Sequence, residues 1–168
     1  MTAKHAAGAK RMKDKHYLKE HQFLFVERPY HEVADEILQW GWSSWWPEQG
    51  WAQYRIGEGA VPGAGTACEM VLGRGMLQIR LKGEIVQIKE RKAVQIEWQS
   101  GMMVGQEFVI VEERSNGTRI DHRLRYRGVN VFAQIVWLVV FRKRYQEGMQ
   151  QVMDALKMYM GNDSTGTE

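Results

Sequence analysis

The chain has 168 residues, 44% of them hydrophobic, with 23 Lys and Arg against 20 Asp and Glu and a formal net charge of +3. That is enough apolar material for one core and too little net charge to imply a nucleic-acid partner, and none is expected. A lone Cys68 excludes an internal disulfide and a multi-cysteine metal site and fits a reducing, cytoplasmic setting.

Six cations, Lys4, Lys10, Arg11, Lys13, Lys15 and Lys19, meet only Asp14 and Glu20 in the first twenty residues. Residues 1–15 are therefore expected to be a flexible basic tail, 16–160 the folded domain and 161–168 a disordered polar tail. No basic-then-apolar leader opens the chain. Tyr17 to Val26 reads as a strand that Pro29 ends. Val33, Ile37 and Trp40 then share one helical face, with Glu32, Asp35 and Glu36 near the helix start where the dipole favours them. Trp40, Trp42, Trp45, Trp46 and Trp51 crowd the next stretch, QWGWSSWWPEQGW. Gly41, Ser43, Ser44 and Pro47 break up any long element there, so the rings turn the chain as a bent aromatic lid, with a second short helix ending at Pro47. Such rings either line a pocket or plug the end of a small core.

Residues 51–56 read as a strand, the glycines at 57, 59, 63 and 65 as a loop, and Thr66–Leu72 as a strand without clear alternation, which leaves the side taken by Glu69 open. Alternation is plain in Leu77, Ile79 and Leu81, in Val94, Ile96 and Trp98, and in Ile120, His122, Leu124 and Tyr126. Ser115-Asn116-Gly117 marks a hairpin turn. A three-residue loop places Phe108 and Ile110 beside His122 and Leu124, whereas a two-residue loop places Val109 and Val111 there; the first is preferred because it keeps Glu107 and Glu113 off the buried face. From Val129 to about Met160 one long helix is expected, with Phe132, Val136, Val139, Tyr145, Met149, Val152 and Leu156 on its apolar stripe. Its first part, Val129–Phe141, is apolar on nearly all sides and is followed by Arg142, Lys143 and Arg144. That part is too short to span a bilayer, which takes roughly twenty residues; it is either buried on several sides or makes transient contact with a membrane surface. Only the long helix is large enough to cover an antiparallel sheet with one wet face.

The helix ERPYHEVADEIL, the following SSWWP, the strands LQIRLKGEIVQI and AVQIEWQSG, the hairpin FVIVEERSNGTRIDHRLRYRG and the closing helix together resemble the START-like, or SRPBCC, superfamily, in its polyketide cyclase/dehydrase and lipid-transport branch. The resemblance covers about Tyr17 to Met160 and rests on the order of weak motifs. It implies an α+β helix-grip fold: a curved antiparallel sheet of about seven strands around a long C-terminal helix, with two short helices after the first strand. A cavity between sheet and helix would hold a lipid, polyketide or isoprenoid-like molecule. Its expected lining is Trp45, Trp46, Leu77, Ile79, Leu81, Trp98, Phe108, Ile110, His122, Leu124, Tyr126, Phe132, Val136, Met149 and Val152.

The expected function is binding or transport of such a ligand, the alternative a cyclase/dehydrase-type enzyme, and the third reading a protein-interaction module with a filled cavity and an exposed apolar patch. His122, polar on an apolar face, is a general acid or base in the second reading and a hydrogen-bonded wall residue in the first. A catalytic histidine needs a carboxylate, and Glu69 is the expected source. No phosphate loop, nucleophile elbow or metal-spaced histidine set is present, so no cofactor or metal is expected; His5, His16, His21 and His31 form no ligand set. Nothing in the sequence fixes the oligomeric state.

Overall fold

The computed structural model describes residues 17–57, 59–89 and 92–162, so the basic segment 1–15 and the last six residues lie outside it. The elements run β1 (Leu18–Val26), α1 (Tyr30–Ile37), β2 (Ala52–Ile56), β3 (Ala67–Arg74), β4 (Leu77–Lys89), β5 (Ala93–Ser100), β6 (Met103–Arg114), β7 (Gly117–Gly128), α2 (Val131–Val136), a π-helical turn (Trp137–Phe141) and α3 (Arg142–Asn162). The seven strands form one antiparallel sheet in the order β1-β7-β6-β5-β4-β3-β2. This is the expected α+β helix-grip architecture.

β1 and β2 are the two edges of the sheet, yet α3 packs on both. A helix can touch both edges only if the sheet curls around it. Two register shifts where β4 pairs with β5, at Lys82/Gly83 and Ile85/Gln87, help bend the strands, because a bulge increases local twist. Gly83 is needed at the first of them: a Cβ there would lie 2.4 Å from the Glu97 carbonyl oxygen.

Three expectations change. After α1 the chain makes a run of turns, not a second helix. Short-range bonds from Trp40 N–H to the Ile37 carbonyl and from Trp42 N–H to the Gln39 carbonyl lead into Gly41, whose φ of 83° ends helical geometry. There the backbone passes so close to Tyr54 that a Cβ would come within 2.6 Å of its ring.

The second change is the β6–β7 register. Arg114 pairs with Gly117, so the loop has two residues, and Val109 lies opposite His122. Met103, Glu107, Val109 and Val111 are the buried members of β6, while Phe108 and Ile110 sit on the other face. The preference for the longer loop fails because it assumed that a glutamate cannot be accommodated in the core.

The third lies in the closing helix. Its inward residues are Ala133, Trp137, Phe141 and Tyr145 and then Met149, Val152, Met153, Leu156 and Met160. Residues four apart drift by about 40° per step in an unbroken α-helix. Over 133–145 that drift would carry one end away from the sheet, and the wider π-helical turn absorbs part of it. Phe132 and Val139, expected on the stripe, therefore face outward and Val136 is only partly buried.

Gly148 on α3 lies where a Cβ would meet the Trp51 side chain at 2.8 Å, with the Arg144 guanidinium 4.9 Å from the same ring. Gly148→Leu is expected to lower stability by about 1–3 kcal/mol, read from urea unfolding followed by tryptophan fluorescence. An unchanged midpoint would show that α3 does not sit this close to the β2 edge.

Candidate functional site

The apolar inner face of the sheet surrounds one buried carboxylate. Glu107, on β6, is fully buried and accepts four hydrogen bonds. Trp40 Nε1 donates to Oε1 at 3.1 Å, Tyr54 Oη to Oε1 at 2.7 Å, Trp98 Nε1 to Oε2 at 3.0 Å, and His122 Nε2 lies 2.9 Å from Oε1. The donors come from the turn after α1 and from β2, β5 and β7. Burial pushes the Glu107 pKa upward, but the hydrogen bond and charge of His122, followed by the bonds from Tyr54 and Trp40, outweigh it and hold the carboxyl below its ordinary value. Burial first, and then the negative charge of Glu107, drive the Tyr54 hydroxyl well above its usual range.

Aromatic rings close around this centre. Trp40 stacks on His122, centroids 5.4 Å apart, and meets Trp46 edge-on at 5.1 Å; Trp46 in turn meets Tyr54 edge-on at 5.1 Å. Trp46 Nε1 donates to the Ala52 carbonyl and Trp45 Nε1 to Glu36, so these rings plug one end of the core with their polar edges satisfied.

A second carboxylate ties the long helix to the sheet edge. Glu20, on β1, accepts from Tyr126 Oη, Arg142 Nε and Gln146 Nε2, each at 2.7 Å. Burial and then the bond to Glu20 raise the Tyr126 pKa.

Between these two centres lies a cavity of about 10 Å³, bordered by Met70, Leu72, Leu81, Trp98, Met103, Leu124, Tyr126, Trp137 and Tyr145. That is room for about one water molecule. The Tyr145 hydroxyl is buried on this lining with no hydrogen-bond partner among the described residues. Burial, then the charges of Glu107 and Glu20, keep it protonated, its pKa well above the ordinary value.

Of the residues expected to line a cavity, Leu81, Trp98, Leu124 and Tyr126 border this space. Trp45, Trp46, Met149 and Val152 are buried in the surrounding core, Ile79 and Val136 are partly buried, and His122 belongs to the Glu107 network. Leu77 and Phe132 are exposed, and Phe108 and Ile110 lie on the opposite face of the sheet. The carboxylate expected from Glu69 comes instead from Glu107: Glu69 points away and pairs with Arg80 at 3.4 Å. Its strand showed no alternation because Met70, Val71 and Leu72 are all buried. Cys68 is buried, its thiol pushed up to about 12 by burial and then by Glu107 and Glu84, which leaves it a poor nucleophile. Among the described residues no group of three or more His, Cys, Asp and Glu is placed to hold a metal ion, and no helix is long and apolar enough to cross a membrane.

Sequence reasoning missed Glu107 and Trp137, and placed Tyr145 on the apolar stripe of the helix without assigning it to the cavity. Glu107 and Gln106 interrupt the apolar run of β6 ahead of the polar end Glu112-Glu113-Arg114, and the alternation of Glu107 with Val109 and Val111 was the available signal. Trp137, Phe141 and Tyr145 repeat at four-residue spacing, which marks an aromatic row on one helix face.

Since folding lowers the Glu107 pKa, its contribution is present above the unfolded-state value of about 4.3 and is lost as pH falls through the folded-state value. Glu107→Gln is expected to destabilise the protein by roughly 2–4 kcal/mol at pH 7, because it removes the charge opposite His122 and turns one acceptor into a donor among donors. The gap to wild type should narrow below about pH 4, where the wild-type carboxylate also protonates. Urea titrations at both pH values check this, and a variant as stable as wild type at pH 7 would contradict it.

No protein-family model and no curated protein matches the sequence. Many solved structures match the fold. The protein TTHA0849 from Thermus thermophilus superposes with a TM-score of 0.66 at 16% identity, over 88% of this chain and 100% of that one. A norcoclaurine synthase point mutant from Thalictrum, solved with a transition-state analogue, gives 0.66 at 12% identity over 89% and 97%. Major latex-like protein 151 from Panax ginseng gives 0.60 at 12% identity over 86% and 97%. With one sheet gripping one long helix from edge to edge, and such neighbours over nearly the whole domain, the chain has the SRPBCC-type, START-like fold.

Proposed function

We propose that the chain binds and carries one small, largely apolar molecule bearing a single hydrogen-bonding group, held between the sheet and the long helix. The observation that carries this reading is the Tyr145 hydroxyl, buried, without a partner among the described residues and on the lining of an apolar space between the two layers. A buried hydroxyl without a partner costs about 1–3 kcal/mol, so its retention favours a partner that arrives from outside. Met70 and Met103 border the same space, and methionine side chains re-pack readily, so the site opens around an incoming ring by rotamer changes. The resemblance of the sequence to the lipid-transport and polyketide cyclase branch supports a ligand of the lipid, polyketide or isoprenoid-like kind.

A cyclase or dehydrase is the second reading, and the His122–Glu107 pair supplies the converging acid and base that it requires. Carriage is preferred because neither residue borders the cavity and every donor around Glu107 is already spent on it. The filled interior favours the third reading, an interaction module, but leaves the Tyr145 hydroxyl without a purpose.

Naphthalene and 2-naphthol distinguish these readings. The folded protein is expected to take up both, read by energy transfer from its tryptophans, and to prefer 2-naphthol by about 0.5–1.5 kcal/mol, the worth of one hydrogen bond. Tyr145→Phe should abolish that preference while leaving the ligand-free protein as stable or about 1 kcal/mol more stable. Uptake of neither compound by a folded sample would contradict ligand binding.

A further inference from the structure

The start of the closing helix presents an apolar face that nothing in the described protein covers. Val131, Phe132 and Val139 are 76%, 74% and 79% exposed, and Ile135 and Leu138 complete the same stripe. The face is held in place. Asn130 caps α2 by accepting from the Ala133 N–H at 2.8 Å, and the Gly128 N–H donates to the Gln134 side chain, so the helix is anchored to the end of β7 at its first turn. On the opposite side Ala133, Trp137 and Phe141 bury themselves against the sheet.

Charge decides what occupant suits this face. From Val129 to Gln146 the chain has no acidic residue, while Arg142, Lys143 and Arg144 follow the apolar stripe directly. Arg142 is held by Glu20 and Lys143 lies 3.8 Å from Glu147, but no acid stands on the apolar face itself, and exposed valine, isoleucine and phenylalanine followed by the outward Lys143 match an anionic lipid surface. The flanking sequence is poor in apolar residues that would match it. Met1 and Met12 are the only large apolar residues in 1–16, and 163–168 has none.

We infer that α2 and the π-helical turn dock on the surface of an anionic bilayer, with Phe132, Ile135 and Val139 in the acyl boundary and Lys143 at the headgroups. The docking rests on this face alone; its use rests on the carrier reading. Trp137 borders the interior cavity one residue before Leu138 and two before Val139, so the same turn faces both the lipid and the binding space. A π-helical turn departs locally from α-helical spacing, and a shift of register here would rotate Trp137 away from Tyr126 and Tyr145, whose rings now lie 5.1 and 5.7 Å from it. Membrane contact would thereby open the cavity where its ligand is dissolved.

Flotation of the full chain with phosphatidylcholine vesicles, with and without phosphatidylglycerol, tests the docking. The protein is expected to float with the phosphatidylglycerol vesicles and not with phosphatidylcholine alone. Phe132→Ser combined with Val139→Ser should bind at least ~10-fold more weakly, and Lys143→Gln about 5-fold more weakly. Both changes lie on exposed positions, and circular dichroism confirms that the variants fold. Equal flotation of the double variant would overturn the proposal by assigning binding to the basic residues 1–15. Absence of flotation, or concentration-dependent self-association that the double variant abolishes in place of vesicle binding, would overturn it as well. Uptake of 2-naphthol by lipid-free protein reads the interior site separately, so either idea can fail without the other.

Discussion

Everything inside this domain is arranged around a charge that has no access to water. Glu107 is fully buried, and a carboxylate in such a place is tolerable only if its oxygens are fully occupied. Four side chains from four separate parts of the chain do that. The requirement explains several features at once. The chain must turn sharply after α1 to bring Trp40 over His122, Gly41 must lack a Cβ so that Tyr54 can approach, and β6 must take the register that points Glu107 inward. A core built only of leucine and valine could slip by one pair of residues with modest loss; one built on a charge with four directed donors cannot.

The antiparallel strands, their succession along the chain and the covering helix were legible in the sequence, because period-two alternation in β4, β5 and β7 and the long glycine-poor stretch after Gly128 are strong signals. The candidate site was less so. The register of β6 against β7 was misjudged through a sound general rule, that glutamates stay out of cores, which fails when tryptophan, tyrosine and histidine supply the compensating bonds. Those partners lie 9 to 67 residues away in sequence, and no local pattern announces them. The inward stripe of the closing helix was misplaced over its first three residues for a different reason: a π-helical turn changes the period at which side chains return to one face, and Phe132 and Val139 exchange places with Ala133 and Trp137.

The two carboxylates divide the labour between stability and access. Glu107 locks the strands and the tryptophan plug at one end, whereas Glu20 holds α3 to β1 through Arg142 and Gln146 at the first turn after the π-helical segment. The apolar cavity and the unpartnered Tyr145 hydroxyl lie between them. The closed interior follows from this arrangement, since aromatic rings from both networks lean into the same space. The half of the helix that Glu20 does not clamp is also the half with the exposed apolar face, and it is the natural place for the structure to yield.

The central claim is that Glu107 is a buried, ionised anchor, and the most direct measurement is a carbon-13 NMR titration of its side-chain carboxyl in the full-length folded protein. An ionised anchor keeps the resonance that of a carboxylate as pH falls past the ordinary glutamate value of about 4.3, with change only as the protein unfolds or below that value. A carboxyl that protonates above it while the protein stays folded would mean a neutral glutamic acid at the centre of the core, and the four-donor anchor would have to be abandoned.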